Sequence, residues 1–204
     1  MLQLDHLAIA APTLEEARTH VETILGVPLQ PGGKHPHFST HNMLLGLADG
    51  LYLEAIAIDP EAPEPGYPRW FDLDRFTGAA RVSNWICRTD DLDAMTRTMP
   101  ETGRPVPLAR GDLRWQMAVP EDGILPFDNC FPALIEWNCA QHPAQLLPAS
   151  GCRLERLIVA HPAARDLKSR LTPVLKDPRV VFEDAPEAGL RAEIATPSGR
   201  KVLA

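Results

Sequence analysis

The sequence predicts an α+β fold assembled from repeated βαβββ modules, and three observations lead there. A strand-like alternation that opens into a capped helix stands at the amino terminus, the same succession returns near residue 80, and it returns in outline near residue 152. Repeats of this length are single supersecondary units that bury their apolar faces only by stacking.

In the first unit, LQLDHLAIA (2–10) alternates with the period of two expected of a strand. Thr13 and Glu16 follow at capping-box spacing, Leu14, Ala17, Val21 and Ile24 recur at helical spacing, and Gly26 marks the stop. A Gly/Pro/His loop comes next, then a strand around His41 to Leu47, a turn at Asp49-Gly50, and a strand that carries Glu54. Laying RVSNWICRTDDLDAM over LDHLAIAAPTLEEA sets Asn84 on His6 and Asp91 on Thr13, and the closing strand PALIEWN sets Glu136 on Glu54. The third unit repeats the helix through Leu167, Leu171 and Val174. It has Arg156 in place of His6 and no carboxylate in its last strand near Val202, so it is expected to act as support or as an oligomer surface. The expected organisation is modules at 1–58, 80–140 and 152–204, joined by a proline-rich linker at 59–79 and a second linker at 141–151.

With 204 residues, 45% of them hydrophobic, the chain has enough apolar mass for a real core. A net charge of −7 without any Lys/Arg cluster argues against a nucleic-acid partner and leaves small molecules. No run of about 18 apolar residues occurs and no basic leader precedes Asp5 and His6, so neither a membrane span nor a signal peptide is expected, and a cytoplasmic location is the default. Cys87, Cys130, Cys139 and Cys152 lack CxxC spacing and read as reduced structural thiols. Dinucleotide, Walker and serine-elbow motifs are absent.

Glu54 is the residue that calls for chemistry. Alternation sends Tyr52, Glu54, Ile56 and Ile58 to one face of their strand and Leu51, Leu53, Ala55 and Ala57 to the other. A carboxylate among apolar neighbours must be paired, protonated, metal-bound or open to a wet cleft. Its recurrence as Glu136 is the strongest functional signal, because packing alone has no reason to place Glu twice in the middle of an apolar strand.

With His6 on a first strand, Glu54 on a last strand, and GlyGlyLysHis, ThrHisAsn and TyrLeuGlu between residues 32 and 54, the chain resembles the vicinal oxygen chelate superfamily, and most of all its glyoxalase-like branch. The resemblance implies two modules that curl their sheets into a curved mixed-sheet cleft around a metal held by His6, Glu54, Asn84 and Glu136. Asn84 departs from the usual His, Gln or Glu. A divalent Zn, Mn, Fe, Co or Ni ion would act as a Lewis acid on a small molecule with vicinal oxygens, in a lyase or isomerase rather than a dioxygenase, while Glu54 or Glu136 moves a proton. His41, which opens the strand paired to that of Glu54, reads as a fourth ligand or a general base. His37, Trp85, Trp115 and Arg114 are the expected substrate pocket; Trp70 and Phe71 read with Trp85 and Trp115 as walls of an apolar pocket, and Arg110 reads with Arg114 as a contact to an anionic substrate. Plainer roles stand beside these: a core histidine for His6, a salt bridge for Glu136, a solvent loop for His35 and His37, core packing for the tryptophans, and solvation for Arg110 and Arg114. The alternatives are a metal-free binding or sequestration protein of the same fold, and an interaction scaffold. An odd number of modules points to a homodimer.

Overall fold

The computed structural model describes residues 1–204. Its first module runs β1 (Gln3–Ala10), α1 (Leu14–Leu25), β2 (Gln30–His35), β3 (Thr40–Gly46) and β4 (Tyr52–Ile58). The second runs β5 (Arg81–Arg88), α2 (Leu92–Thr98), β6 (Arg104–Arg110), β7 (Leu113–Val119) and β8 (Ala133–Trp137). Together they form one eight-stranded sheet in the order β2-β3-β4-β1-β5-β8-β7-β6. Each module lays its last strand parallel beside its first, and β1 and β5 join the two modules antiparallel at the centre. The sheet curls until its edge strands β2 and β6 approach one another, which turns its concave face into a cleft.

Local chemistry explains the elements. Thr13 and Glu16 close a reciprocal capping box at the start of α1, and Gly26 ends that helix in the left-handed conformation, at φ 72°. Ala17, Val21 and Leu25 are the residues α1 buries. Part of the expected Gly/Pro/His loop is a strand: QPGGKH forms β2, an edge strand whose pairing with β3 is irregular between Pro31 and Lys34. Edge positions tolerate the proline and glycines that a central strand would not.

The first linker contains a short 3₁₀ turn, Trp70–Arg75, and the second contains α3 (Pro143–Leu146). The third unit comprises β9 (Arg153–His161), α4 (Ala164–Leu171), β10 (Val180–Asp184), β11 (Gly189–Thr196) and β12 (Gly199–Leu203). Its elements follow the βαβββ order with different wiring, since the sheet runs β10-β9-β11-β12 and the strand after the helix, not the last one, lies parallel to the first. A single apolar cluster of 50 buried residues extends from Leu2 to Leu203, so the third unit shares the core of the other two.

Candidate active site

The parallel pairing of β1 and β4 sets His6 beside Tyr52 and Ala8 beside Glu54, with all four on the concave face. The His6 ring stacks on Tyr52 with centroids 4.3 Å apart and planes at 15°. A bulge in the pairing of β1 with β5, between Leu4 and His6, brings Asp5 into the same cluster instead of sending it to the far face. Asp5 is fully buried, and its Oδ1 lies 2.6 Å from His6 Nδ1. Trp137 Nε1 and His142 Nε2 donate to Asp5 Oδ2 at 3.2 and 2.8 Å. On the other side of the imidazole, Glu54 Oε2 is 3.6 Å from His6 Nε2, which is an ion-pair contact rather than a hydrogen bond.

Charge in this row is set by its own members together with His142. Burial pushes the His6 pKa down, but the hydrogen bond to Asp5 and the charge of Glu54 outweigh it and raise the value to about 9. Burial pushes Glu54 up, and His6 overrides that to hold it at about 2. For Asp5, too, burial is outweighed by His142 and His6, and its carboxyl stays well below the usual range. Near neutral pH the row is therefore carboxylate, imidazolium, carboxylate.

A second row crosses the cleft. Asn42 on β3 donates from Nδ2 to Glu54 Oε1 at 2.5 Å, while its Oδ1 accepts from Gly33 N at 2.8 Å and from Arg110 Nη1 at 3.1 Å. His35 is buried, and burial lowers its pKa to about 4, so the ring is neutral. Its Nδ1 lies 3.0 Å from Thr40 Oγ1, and its Nε2 accepts from Arg110 Nη1 at 3.2 Å. Between the rows lies a cavity of about 30 Å³ walled by Trp70, Phe71, Trp115, Met117, Ile135 and Trp137, with room for roughly one or two waters. Trp70 and Phe71 come from the 3₁₀ turn of the first linker. Phe71 and Asp72 adopt φ of 59° and 56°, a conformation that costs an L residue on the order of 1 kcal/mol or more. Burial of both aromatic rings offsets that cost.

The expected site residues divide sharply. His6, Glu54 and Trp115 line the cavity. Glu136 does not: its Oε2 accepts from Leu92 N at 2.7 Å at the start of α2, and its Oε1 accepts from Asn138 Nδ2 at 2.9 Å. The strand pairing gives the reason. Glu54 pairs with Ala8, two residues after His6, whereas Ile86, two residues after Asn84, pairs with Ala133. The repeat overlay is thus three residues out, and an odd slip turns a side chain to the other face. Asn84 is fully buried outside the cavity, with neither amide atom bonded. His41 and Arg114 are each one residue from a cavity-lining neighbour, Asn42 and Trp115, and so point away. Arg114 instead caps the Gly111 and Leu113 carbonyls. His37 is exposed beside Phe38 and Tyr67. Trp85 is a core residue whose Nε1 donates to Cys130 O at 2.8 Å.

Trp70 and Phe71 line the cavity as the reading of them as pocket walls expects, whereas Asp5, His142 and Trp137 were not anticipated in the site. Only Asp5 left a signal, as a carboxylate beside His6 within an apolar strand. His142 sits in the second linker, whose path no periodicity encodes.

A divalent ion needs three or four lone pairs converging on one point. His6 is engaged by Asp5 at Nδ1 and by Glu54 at Nε2, the His35 Nε2 lone pair is taken by Arg110, and Asn42 turns its amino group to Glu54. From the second module the cavity receives Arg110, two indoles, Met117 and Ile135. No three His, Cys, Asp or Glu side chains converge in a way that holds a metal. The residues present do not fit a divalent ion, and the set His6, Glu54, Asn84 and Glu136 is not brought together.

A half-barrel of paired βαβββ modules with a polar row on its concave face is the architecture of this chain. The sequence profile of the glyoxalase-like domain matches residues 4–175, and the chain belongs to that family. No curated protein matches it. Among solved structures, a hypothetical protein from Staphylococcus aureus is similar over 93% of this chain and 88% of its own, at 15% identity and a TM-score of 0.64. Methylmalonyl-CoA epimerase from Mycobacterium tuberculosis is similar over 70% of this chain and 91% of its own, at 22% identity and a TM-score of 0.44. The first of these likenesses shows the fold alone. No helix is long and apolar enough to cross a membrane.

Proposed function

We propose that this chain is an acid–base enzyme, a lyase or isomerase that moves a proton on a small molecule with oxygens on neighbouring carbons, and that it does so without a metal. The observation that carries this reading is the buried Asp5–His6–Glu54 row opening on an apolar cavity. Two titratable groups whose surroundings push their pKa values apart divide the roles of acid and base. Glu54 accepts the proton from the carbon next to a carbonyl, and the His6 imidazolium donates its Nε2 proton to the oxygen on which negative charge develops. Asp5 holds the imidazole charged and in register. Trp70, Phe71 and Trp115 exclude water, which strengthens each of these interactions.

The test covers a range of candidate substrates at once. A panel of hydroxyketones and 2-hydroxy acids is incubated with the protein in D₂O and hydrogen–deuterium exchange at carbon is followed by NMR. Exchange that disappears in Glu54→Gln is expected, and exchange that persists in that variant sinks the assignment. A second reading, capture of a ligand without turnover, is favoured by one observation: a carboxylate held at about 2 is a weak base. It predicts binding to the same cleft with no exchange at all.

A further inference from the structure

Arg110 is the one charged group that the second module sends into the cavity, and neither the acid–base reading nor the fold requires it. It enters no ion pair, whereas Arg69 and Arg179 each hold a neighbouring carboxylate, Asp74 and Asp177. Its two protein acceptors, Asn42 Oδ1 and His35 Nε2, are both neutral, and both are reached through Nη1. These partners orient the guanidinium while leaving its charge uncompensated and its other donors unspent. The site is built around that side chain. A Cβ on Gly33 would lie 2.6 Å from Arg110 Cδ, and a Cβ on Gly32 would lie 2.0 Å from Asn42 Oδ1. Neither glycine sits at a positive φ, so both are required for the space they leave and not for their backbone freedom.

From this juxtaposition we infer that Arg110 is an anion-recognising residue, and that the cleft takes small carboxylic acids carrying an oxygen on the adjacent carbon. A planar guanidinium fork matches a carboxylate in two parallel hydrogen bonds. The adjacent oxygenated carbon then lies toward Glu54 and His6, which Asn42 links to Arg110. The cavity as it stands has room for about one or two waters, so its walls must part even for an acid of five or six heavy atoms, which sets against larger ones. This deepens the acid–base reading and rests on it for the fate of the ligand, though not for its binding.

Glycolate, lactate and pyruvate are the probes, with glycolamide and hydroxyacetone as uncharged counterparts. Binding is read from the fluorescence of Trp70 and Trp115 and by calorimetry. The carboxylates are expected to bind wild type, to lose at least tenfold in affinity to Arg110→Gln and less to Arg110→Lys, and the uncharged probes to respond to neither. Gly33→Ala, which leaves the arginine in place but crowds its stem, is expected to weaken the same probes. Melting curves verify that each variant is folded. The inference is overturned if no carboxylate binds wild type, if Arg110→Gln binds them unchanged, or if the uncharged probes bind equally well. Deuterium exchange separates the two readings: carboxylate binding in a wild type that shows no exchange refutes proton transfer and leaves the anion subsite standing.

Discussion

Asp5 and His6 are adjacent in the chain and adjacent in the site, which a regular strand does not allow. The bulge in β1 makes it possible, and nothing in the alternation of LQLDHLAIA announces a bulge. His6 and Glu54 were legible because parallel pairing of first and last strands preserves the parity that the pattern displays. Asn42 was missed beside His41 because the choice turned on one residue of register, and of the two arginines read as contacts to an anion, Arg110 and Arg114, only Arg110 reaches the cavity. The buried row has a consequence for stability. His6 is raised from 6.5 to about 9, so its contribution is complete below pH 6.5 and is lost as pH rises through 9. Glu54 is lowered from 4.5 to about 2, so its contribution is complete above pH 4.5 and is lost as pH falls through 2. Urea unfolding is therefore expected to show a plateau between pH 4.5 and 6.5 and a decline toward pH 9.5 on the order of 3 kcal/mol. That decline should vanish in His6→Gln, and an equal decline in both proteins would remove His6 as its origin. The same row bears on metal. Protein purified without chelator is expected to hold well under one equivalent of Zn, Mn, Fe, Co or Ni by elemental analysis. Near-stoichiometric metal that disappears in Glu54→Ala would overturn the metal-free assignment.

Helices and strands follow local rules that the chain displays openly, and their wiring does not. The capping box at Thr13, the Gly26 stop and the strand of Glu54 lie where periodicity puts them. Edge strand β2 was hidden because its glycines answer to Asn42 and Arg110, residues distant in sequence, rather than to strand propensity. In the linkers the aromatic character of Trp70 and Phe71 was legible and the path was not, since it turns on two left-handed residues, Phe71 and Asp72, that are not glycine. Glu136 belongs at this scale, because it serves an element and not the cleft. Its carboxylate accepts from Leu92 N at the N-terminus of α2, where negative charge and a hydrogen-bond acceptor are both favourable. Glu136→Ala is expected to destabilise the protein by about 1 kcal/mol, a fall of roughly 2–4 °C in Tm. Carboxylate binding should be unaffected. A loss of ligand affinity with Tm unchanged would return Glu136 to the cleft.

At the scale of the molecule, the question is what covers the third unit, because three modules cannot pair off evenly. The chain answers internally. β12 packs against α1 and β11 against β5, while Leu2 N bonds Val174 O and Ala48 N bonds Cys152 O, each at 2.8 Å. Only four large apolar side chains are left exposed, Met1, Tyr67, Leu146 and Val202, few for the apolar centre of a stable dimer seam. The reason for expecting a homodimer is thereby met within one chain, and sedimentation at micromolar concentration is expected to give a 22.5 kDa species. The stronger consequence concerns truncation. A chain of this size is stable by roughly 5–15 kcal/mol, and uncovering a buried leucine costs about 2 kcal/mol. Leu154, Leu157, Leu167, Leu171, Ile194 and Leu203 belong to the same apolar cluster as Leu7, Val21 and Trp85. Ending the chain after residue 148 removes that side of the cluster and leaves α1 and β5 without their cover. Such a fragment is expected to lose its cooperative thermal transition and to bind an apolar dye, even though every residue of the candidate site is retained. A fragment that melts cooperatively within a few degrees of the full chain would make the third unit an appendage, and the cleft a property of the first two modules alone.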